Sequence, residues 1–170
     1  MSFFERLSAS CRKKESLLCV GLDPRIEGTA DPARAIVAAN RRVIETTLPY
    51  AAAYKPNIAF YECYGPAGLE ALSKTLEIIP DDVPVIIDAK RNDIGATAKA
   101  YAAGLFTFFG ADAVTLNAYM GKDSIDPFLT DTNNGCFLLC KTSNPGSADF
   151  QSLVVTDAAT PLYIQVARTV

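Results

Sequence analysis

Apolar runs alternate with amphipathic segments along most of the chain, a pattern that predicts strands separated by helices. The apolar runs predict five strands, at about residues 17–23, 52–59, 83–90, 113–118 and 136–141. The segments between them predict helices at about residues 32–47, 66–79 and 94–109, a short helix near 124–129 and a last amphipathic segment at 160–170. Asp31 before Pro32 is typical of a helix N-terminus, whereas Pro56 is awkward inside a central strand. Because strands alternate with helices, we expect a parallel α/β sheet.

Polar residues follow most of these strands at their carboxyl ends. They are Asp23, Lys55, Asn57, Asp88, Lys90, Asn117, Lys141 and Ser143. Functional groups converge at that edge in (β/α)8 barrels and in doubly wound sheets. The chain has neither G-x-G-x-x-G in its first strand-to-helix turn nor G-x-x-x-x-G-K-[ST], which argues against Rossmann and P-loop nucleotide sites. We therefore expect one (β/α)8 TIM-type barrel domain over residues 1–170. It would comprise about five β/α units and lack the last three, since a complete barrel takes about 250 residues.

The stretch V-I-I-D-A-K-R-N-D-I-G-A-T at 85–97 carries the densest charge pattern. An apolar strand leads directly into Asp88 and Lys90, and Asp93 follows at the turn into an alanine-rich segment. Because side chains alternate along a strand, Asp88 and Lys90 are expected on the face that Ile86 occupies. Burying unpaired charge costs several kcal/mol or more, roughly, so this array predicts either chemistry or a compensated ion network. A solvated charge cluster at a strand–helix turn is the alternative.

Composition narrows the chemistry further. The 170 residues are 49% hydrophobic and 21% charged, with a net charge of −3 and no histidine. This composition gives no support for nucleic-acid binding, and no apolar run approaches the roughly 20 residues of a membrane span. Without histidine, serine–histidine and cysteine–histidine nucleophiles and histidine metal sites are excluded. Acid–base work must then fall to Lys, Asp, Glu, Tyr or Cys.

The cysteines indicate a reducing compartment. There are five, an odd number: Cys11, Cys19, Cys63, Cys136 and Cys140. Their spacing shows no zinc-type arrangement of two cysteine pairs. We expect reduced, mostly buried thiols and a cytoplasmic protein.

Five motifs together resemble those of orotidine 5′-monophosphate decarboxylases. D-A-K-R-N-D-I-G-A-T is similar to the family signature D-x-K-x-x-D-I-x-x-T, and four further motifs agree with it in order. These are G-L-D-P-R at 21–25, Y-K-P-N-I-A-F at 54–60, T-L-N-A-Y-M-G at 115–121 and K-T-S-N-P-G-S at 141–147. The resemblance implies a (β/α)8 barrel, usually a homodimer, that converts orotidine monophosphate to uridine monophosphate and carbon dioxide without metal or organic cofactor.

The resemblance also implies roles for individual residues. Lys55, Asp88, Lys90 and Asp93 match the alternating lysine–aspartate tetrad that carries the chemistry. Asp93, with Ile94 and Thr97, matches the stretch that reaches into the partner subunit's site. Asp23 matches the residue that holds the ribose hydroxyls and Ser143 the one that contacts the pyrimidine, with Asn57 and Asn117 expected to line the same substrate site.

Two readings besides a complete decarboxylase remain open. The family's phosphate-binding arginine and glutamine-bearing loop lie in a part of the barrel that this chain does not contain, so we expect an incomplete enzyme on its own. The chain could then be a non-catalytic truncated product or a fragment that assembles with a separate C-terminal piece. A magnesium-dependent keto-gulonate-phosphate decarboxylase of the same superfamily also has D-x-K-x-x-D, although Lys55 and the K-T-S-N-P-G motif weigh against it.

Overall fold

Five parallel strands lie side by side in chain order at the centre of the fold. The computed structural model describes residues 1–156 and 159–169. The strands are β1 (Leu18–Gly21), β2 (Ala51–Lys55), β3 (Ile86–Arg91), β4 (Ala113–Asn117) and β5 (Gly135–Leu139). β1 pairs with β2, β3 to β5 form a second group, and single bridges from Tyr54 to Val85 and from Asn57 to Asp88 join the two groups. The predicted parallel α/β sheet is confirmed. In the part of the chain that the structure describes, no further strand pairs with the outer edge of β1 or β5, so the sheet stays open.

Helices connect the strands at the three predicted places, although some boundaries differ and an additional short one begins at Ala59, within the predicted strand 52–59. They are α1 (Phe3–Lys14), α2 (Pro32–Thr47), α3 (Ala59–Glu62), α4 (Gly65–Leu76), α5 (Gly95–Ala102) and α6 (Leu162–Thr169). The predicted helix at 94–109 continues after α5 as the π-helix Ala103–Phe108. The short helix predicted near 124–129 is instead two 3-10 turns, Lys122–Ser124 and Asp126–Phe128. β2 ends at Lys55, so Pro56 does not interrupt a strand.

The last predicted segment, 160–170, combines two kinds of structure. Its first two residues form β7 (Thr160–Pro161), which pairs antiparallel with β6 (Val154–Val155). α6 follows, and Val170 lies outside the described residues. Strands of two residues are too short to leave a periodic pattern in the sequence.

α1 was not predicted, and it covers the amino-terminal end of the strands. A capping box starts it, in which the Ser2 backbone donates to the Glu5 carboxylate at 2.8 Å and the Glu5 backbone donates to the Ser2 hydroxyl at 3.4 Å. Phe3 is completely buried against residues of β2, β3 and β4, including Ile86. A Cβ atom at Gly135 would overlap the Phe3 ring, so β5 approaches α1 closely only because this position is glycine.

A buried polar cluster ties α2, α3 and α4 together. The Asn40 amide donates to the Tyr61 hydroxyl at 2.9 Å and to the Thr75 hydroxyl at 3.0 Å. Tyr61 in turn donates to the backbone carbonyl of Leu22 at 2.8 Å, just after β1. These satisfied hydrogen bonds fix the helices against β1 and β2.

All five cysteines are free thiols, but the expectation that most are buried is wrong. Cys19 and Cys63 are exposed and the other three are half-buried. Cys19 lies on β1, whose outer edge pairs with no described strand, and Cys63 follows α3 at the surface. Burial raises the pKa of Cys136 to about 11. Within 1–156 and 159–169, no helix combines the length and apolar character that crossing a membrane requires.

Candidate active site

Asp88 lies at the centre of a charged cluster at the carboxyl end of β3. The residue is only 9% exposed. Lys90 Nζ donates to Asp88 Oδ1 at 2.6 Å, and Lys55 Nζ, from the end of β2, donates to Oδ2 at 3.1 Å. A third donor, the Thr115 hydroxyl on β4, reaches Oδ1 at 2.7 Å. The structure thus brings three of the four predicted catalytic residues together, and the array is a compensated ion network rather than a solvated cluster.

The hydrogen bond between Lys90 and Asp88 forms at a bulge in β3. β3 and β4 pair regularly from Ile86 to Ile87, but the next paired residue of β3 is Arg91, two residues later than a regular ladder would place it. Lys90 has φ +49°, in the left-handed region, which costs about 1–3 kcal/mol for a residue other than glycine. Bulges of this kind occur beside active sites, where they re-aim a side chain. The expected proximity of Asp88 and Lys90 is therefore achieved by a bulge and not by simple alternation.

The surroundings of Asp88 favour its ionised form. Burial acts to raise the pKa of the Asp88 carboxyl group, but hydrogen bonds from Lys90, Thr115 and Lys55 outweigh burial and hold the pKa below its usual value of 3.8. Because the folded-state pKa is lowered, the stabilisation is fully present above pH 3.8 and is lost as the pH falls through the folded-state value.

We expect Asp88→Asn to lower the free energy of unfolding near neutral pH, since two ammonium groups lose their common carboxylate. The difference from wild type should narrow as the pH falls below 3.8, because Asp88 of the wild type is protonated first in the unfolded chain and, at lower pH, in the folded protein. Urea unfolding at a series of pH values measures the difference in free energy of unfolding between the variant and the wild type. Asp126→Asn is the matched control, because its ion pair with Lys122 is exposed and contributes little. A difference that stays constant down to pH 2 would contradict this account.

Two predicted substrate residues meet at the ends of β1 and β2. The Asn57 backbone amide donates to Asp23 Oδ1 at 3.0 Å, and the Asn57 side chain accepts from the Ala59 amide at the start of α3. Asp23 is exposed, and its hydrogen bond with Asn57 uses only Oδ1. This geometry allows Asp23 to accept hydrogen bonds from hydroxyl groups of a ligand.

Two residues that the sequence did not single out hold the loop that follows β3. They are Arg91, the last residue of β3, and Asn92. Arg91 pairs with Glu62 at 2.5 Å, and the Asn92 amide donates to the backbone carbonyl of Asn117. The Asn117 side chain accepts from the Tyr119 amide at 3.0 Å. Arg91 and Asn92 stand between the charged positions of the motif, and no pattern distinguishes them from spacers.

The segment at the start of α5 takes no part in the hydrogen bonds of the Asp88 cluster among the described residues. Asp93 accepts only from the neighbouring Ile94 amide, at 2.8 Å, among the hydrogen bonds of the described residues. Ile94 is 53% exposed and Thr97 is exposed as well. No ion pair within the described part of the chain includes Asp93. Asp93 is thus the one member of the predicted tetrad that the structure does not join to the others.

Ser143 is exposed in the loop after β5, beside an apolar pocket. The pocket has a volume of about 300 Å³ and its lining includes Asn117, Tyr119, Leu139, Thr142 and Gln151. Gln151 holds the loop by accepting from the Thr142 backbone and donating to its hydroxyl, each at 2.8 Å. Across the residues described, no three acidic or cysteine side chains form a potential metal-binding group.

The fold and the site together define an α/β protein of the kind that carries its chemistry at the carboxyl edge of a parallel sheet. Comparison with known families agrees with this class. The chain belongs to the orotidine 5′-phosphate decarboxylase / HUMPS family, whose model matches residues 16–169.

Individual relatives are similar over almost the whole chain. It is 46% identical over 172 residues to an orotidine 5′-phosphate decarboxylase of Thermomicrobium roseum, covering 99% of this chain and 61% of that protein. The solved structure of Leishmania donovani OMP decarboxylase is 47% identical, with a TM-score of 0.89, over 98% of this chain and 64% of that one. A solved Toxoplasma gondii structure gives a TM-score of 0.94 at 49% identity, over 99% and 58%. The chain thus spans less than two thirds of each relative.

Proposed function

We propose that the chain supplies the charged half of an orotidine 5′-monophosphate decarboxylase site, acting in pyrimidine biosynthesis. The observation that carries the proposal is the buried carboxylate of Asp88 held between two lysines at the carboxyl edge of the sheet. The relatives at 46% and 47% identity that bear this activity in their names support it. The five free thiols are compatible with a reducing, cytoplasmic compartment.

The proposed reaction breaks the bond between C6 of the pyrimidine and its carboxylate, which leaves as carbon dioxide. The electron pair stays on C6 in the plane of the ring, where conjugation cannot spread it. Lys90, with its side chain 47% exposed toward the open edge, stabilises this carbanion electrostatically and then protonates C6. The neutral lysine then regains a proton from solvent. Because Lys90 supplies both the stabilising charge and the proton, the proposed step uses no metal or organic cofactor.

Asp88 and Lys55 would tune that step. Asp88 orients Lys90 through the 2.6 Å hydrogen bond, and its ionised carboxylate would lie near the substrate carboxylate. Lys55 neutralises the other oxygen of Asp88 and holds it in place. Asp23 and Asn57 would bind the ribose side of the substrate and Asn117 and Ser143 the pyrimidine side.

We propose further that the protein works as a homodimer in which Asp93 and Thr97 enter the site of the partner. The support is the start of α5, where Ile94 and Thr97 are exposed and Asp93 forms no ion pair with a lysine among the described residues. An exposed apolar residue between two polar ones suits a contact between subunits.

A chimera tests the proposal. Residues 1–170 are joined to the C-terminal remainder of the Thermomicrobium roseum relative, so that the residues of this chain stand in a protein of that relative's full length. We expect the chimera to release carbon dioxide from orotidine 5′-monophosphate, and to do so equally with and without a chelator.

Two results would overturn the proposal. The first is a folded chimera, as judged by circular dichroism, that releases no carbon dioxide. The second is release of carbon dioxide that a chelator abolishes and magnesium restores, because the proposed reaction uses no metal. The 170-residue chain by itself is the comparison sample. We expect it to show no measurable activity, because the expected phosphate-binding residues are not among residues 1–170 and binding energy from the phosphate drives closure and orientation.

A further inference from the structure

Thr115 on β4 occupies the break in the ladder between β3 and β4. The paired residues run from Ile87 opposite Val114 directly to Arg91 opposite Leu116, so three residues of β3 face one residue of β4. In a parallel sheet, alternate backbone amides of a strand donate to its two neighbouring strands, and the Asp88 amide donates on the β2 side, to the Pro56 carbonyl at 2.9 Å. The amides of Ala89 and Lys90 remain to be satisfied. A bulge leaves some of them without a ladder partner.

The hydroxyl of Thr115 takes the place of the missing ladder bonds. The backbone amides of Ala89 and Lys90 both donate to Thr115 Oγ1, each at 3.0 Å. A hydroxyl has two acceptor sites and one proton. Because both amides are donors, the single proton must go to the remaining neighbour, and Asp88 Oδ1 lies 2.7 Å away. Every hydrogen-bonding position of this hydroxyl is therefore used.

We propose that Thr115 is a positioning residue, which fixes the carboxylate of Asp88 and the left-handed backbone of Lys90 relative to each other through one hydroxyl group. The proposal rests on the proposed function only in that Asp88 and Lys90 are taken as the reacting pair. Thr115 itself is half-buried behind them and need not touch the substrate.

The first test uses the 170-residue chain and needs no catalytic activity. The carboxyl carbon of Asp88 is titrated by NMR in the wild type, Thr115→Val and Thr115→Ser. Valine has nearly the shape of threonine but no hydroxyl, so the carboxylate loses one donor and its pKa should rise relative to the wild type. Serine keeps the hydroxyl, and its titration should follow the wild type.

Thr75→Val is the matched control for this titration. Thr75 is also a threonine whose hydroxyl is hydrogen-bonded in the interior, but its partner is Asn40, in the helices behind the sheet. The variant should lower the free energy of unfolding and leave the titration of Asp88 unchanged. An unchanged Asp88 pKa in Thr115→Val, or an equal change in Thr75→Val, would overturn the positioning role.

The second test measures steady-state kinetics in the chimera. Thr115→Val should lower kcat about 100-fold with little change in KM, because misplacing a reacting group by about 1 Å can cost that much. Thr115→Ser should recover most of the rate. Equal kcat in the wild type and the valine variant would overturn the proposal. An inactive wild-type chimera would count against the proposed function alone, and the titration would still decide the role of Thr115.

Discussion

Lys90→Ala in the chimera is expected to lower kcat for decarboxylation by about 10³-fold or more, since it removes both the stabilising charge and the proton donor. The residue lies at the open edge of the site, and its ammonium group is held by Asp88 at 2.6 Å. Without this side chain, Asp88 keeps its hydrogen bonds from Lys55 and Thr115, so the fold should survive. Steady-state kinetics measure the loss of kcat. Thermal unfolding of the same variant should show an intact fold, so that the loss is catalytic and not structural.

Lys74→Ala is the matched control for this variant. Lys74 also pairs with a carboxylate, that of Glu70 at 2.5 Å, but on the exposed face of α4. Its removal should leave kcat unchanged. If Lys90→Ala retained a rate within about tenfold of wild type, which is about 1.4 kcal/mol in the barrier, Lys90 could not be the proton donor.

Mixing two inactive variants of the chimera, Lys90→Ala and Asp93→Ala, is expected to restore about a quarter of the wild-type activity. Half of the dimers formed by random exchange are mixed. In each mixed dimer one site carries both defects, and the other combines an intact Lys90 with an intact Asp93 from the partner. The reason for expecting this is the position of Asp93, which contacts no lysine within the described residues of its own chain.

A second mixture controls for the first. Lys90→Ala and Asp88→Asn remove residues that touch each other within one chain, so each site of their mixed dimer keeps one defect and no activity should return. Subunit exchange is followed independently with differently tagged chains. Absence of regain in the Asp93 mixture, once exchange is demonstrated, would mean that Asp93 serves its own subunit.

The sequence was sufficient for the order of the strands and for the polar residues at their ends. Buried parallel strands are continuous apolar runs, and a lysine or aspartate that follows such a run stands out. Asp88, Lys55 and Lys90 were identified in this way, and the structure places all three in contact. The five motifs also indicate the family, because their occurrence in the same order over nearly the whole chain is far more specific than any single motif.

Other features could not be predicted in the same way. The bulge at Asp88–Lys90 depends on the register of β3 against β4, which the sequence does not state, so Thr115 looked like an ordinary strand residue. Its polar side chain, between Val114 and Leu116, indicates a special role only when the register of β3 against β4 is known. α1 is different, because the capping box of Ser2 and Glu5 was visible in the sequence and would have predicted a helix there.

The packing of Phe3 determines when the chain can complete its fold. Synthesis releases residues in chain order, so α1 emerges from a ribosome before any of the five strands. The ring of Phe3, however, lies among Ala53, Ile86 and Ala113 and against Gly135 of β5. Until those residues have been made, a helix that already exists has no complete surface on which to dock. α1 is therefore synthesised before the five strands, but it is fully buried only after the fifth of them has been made.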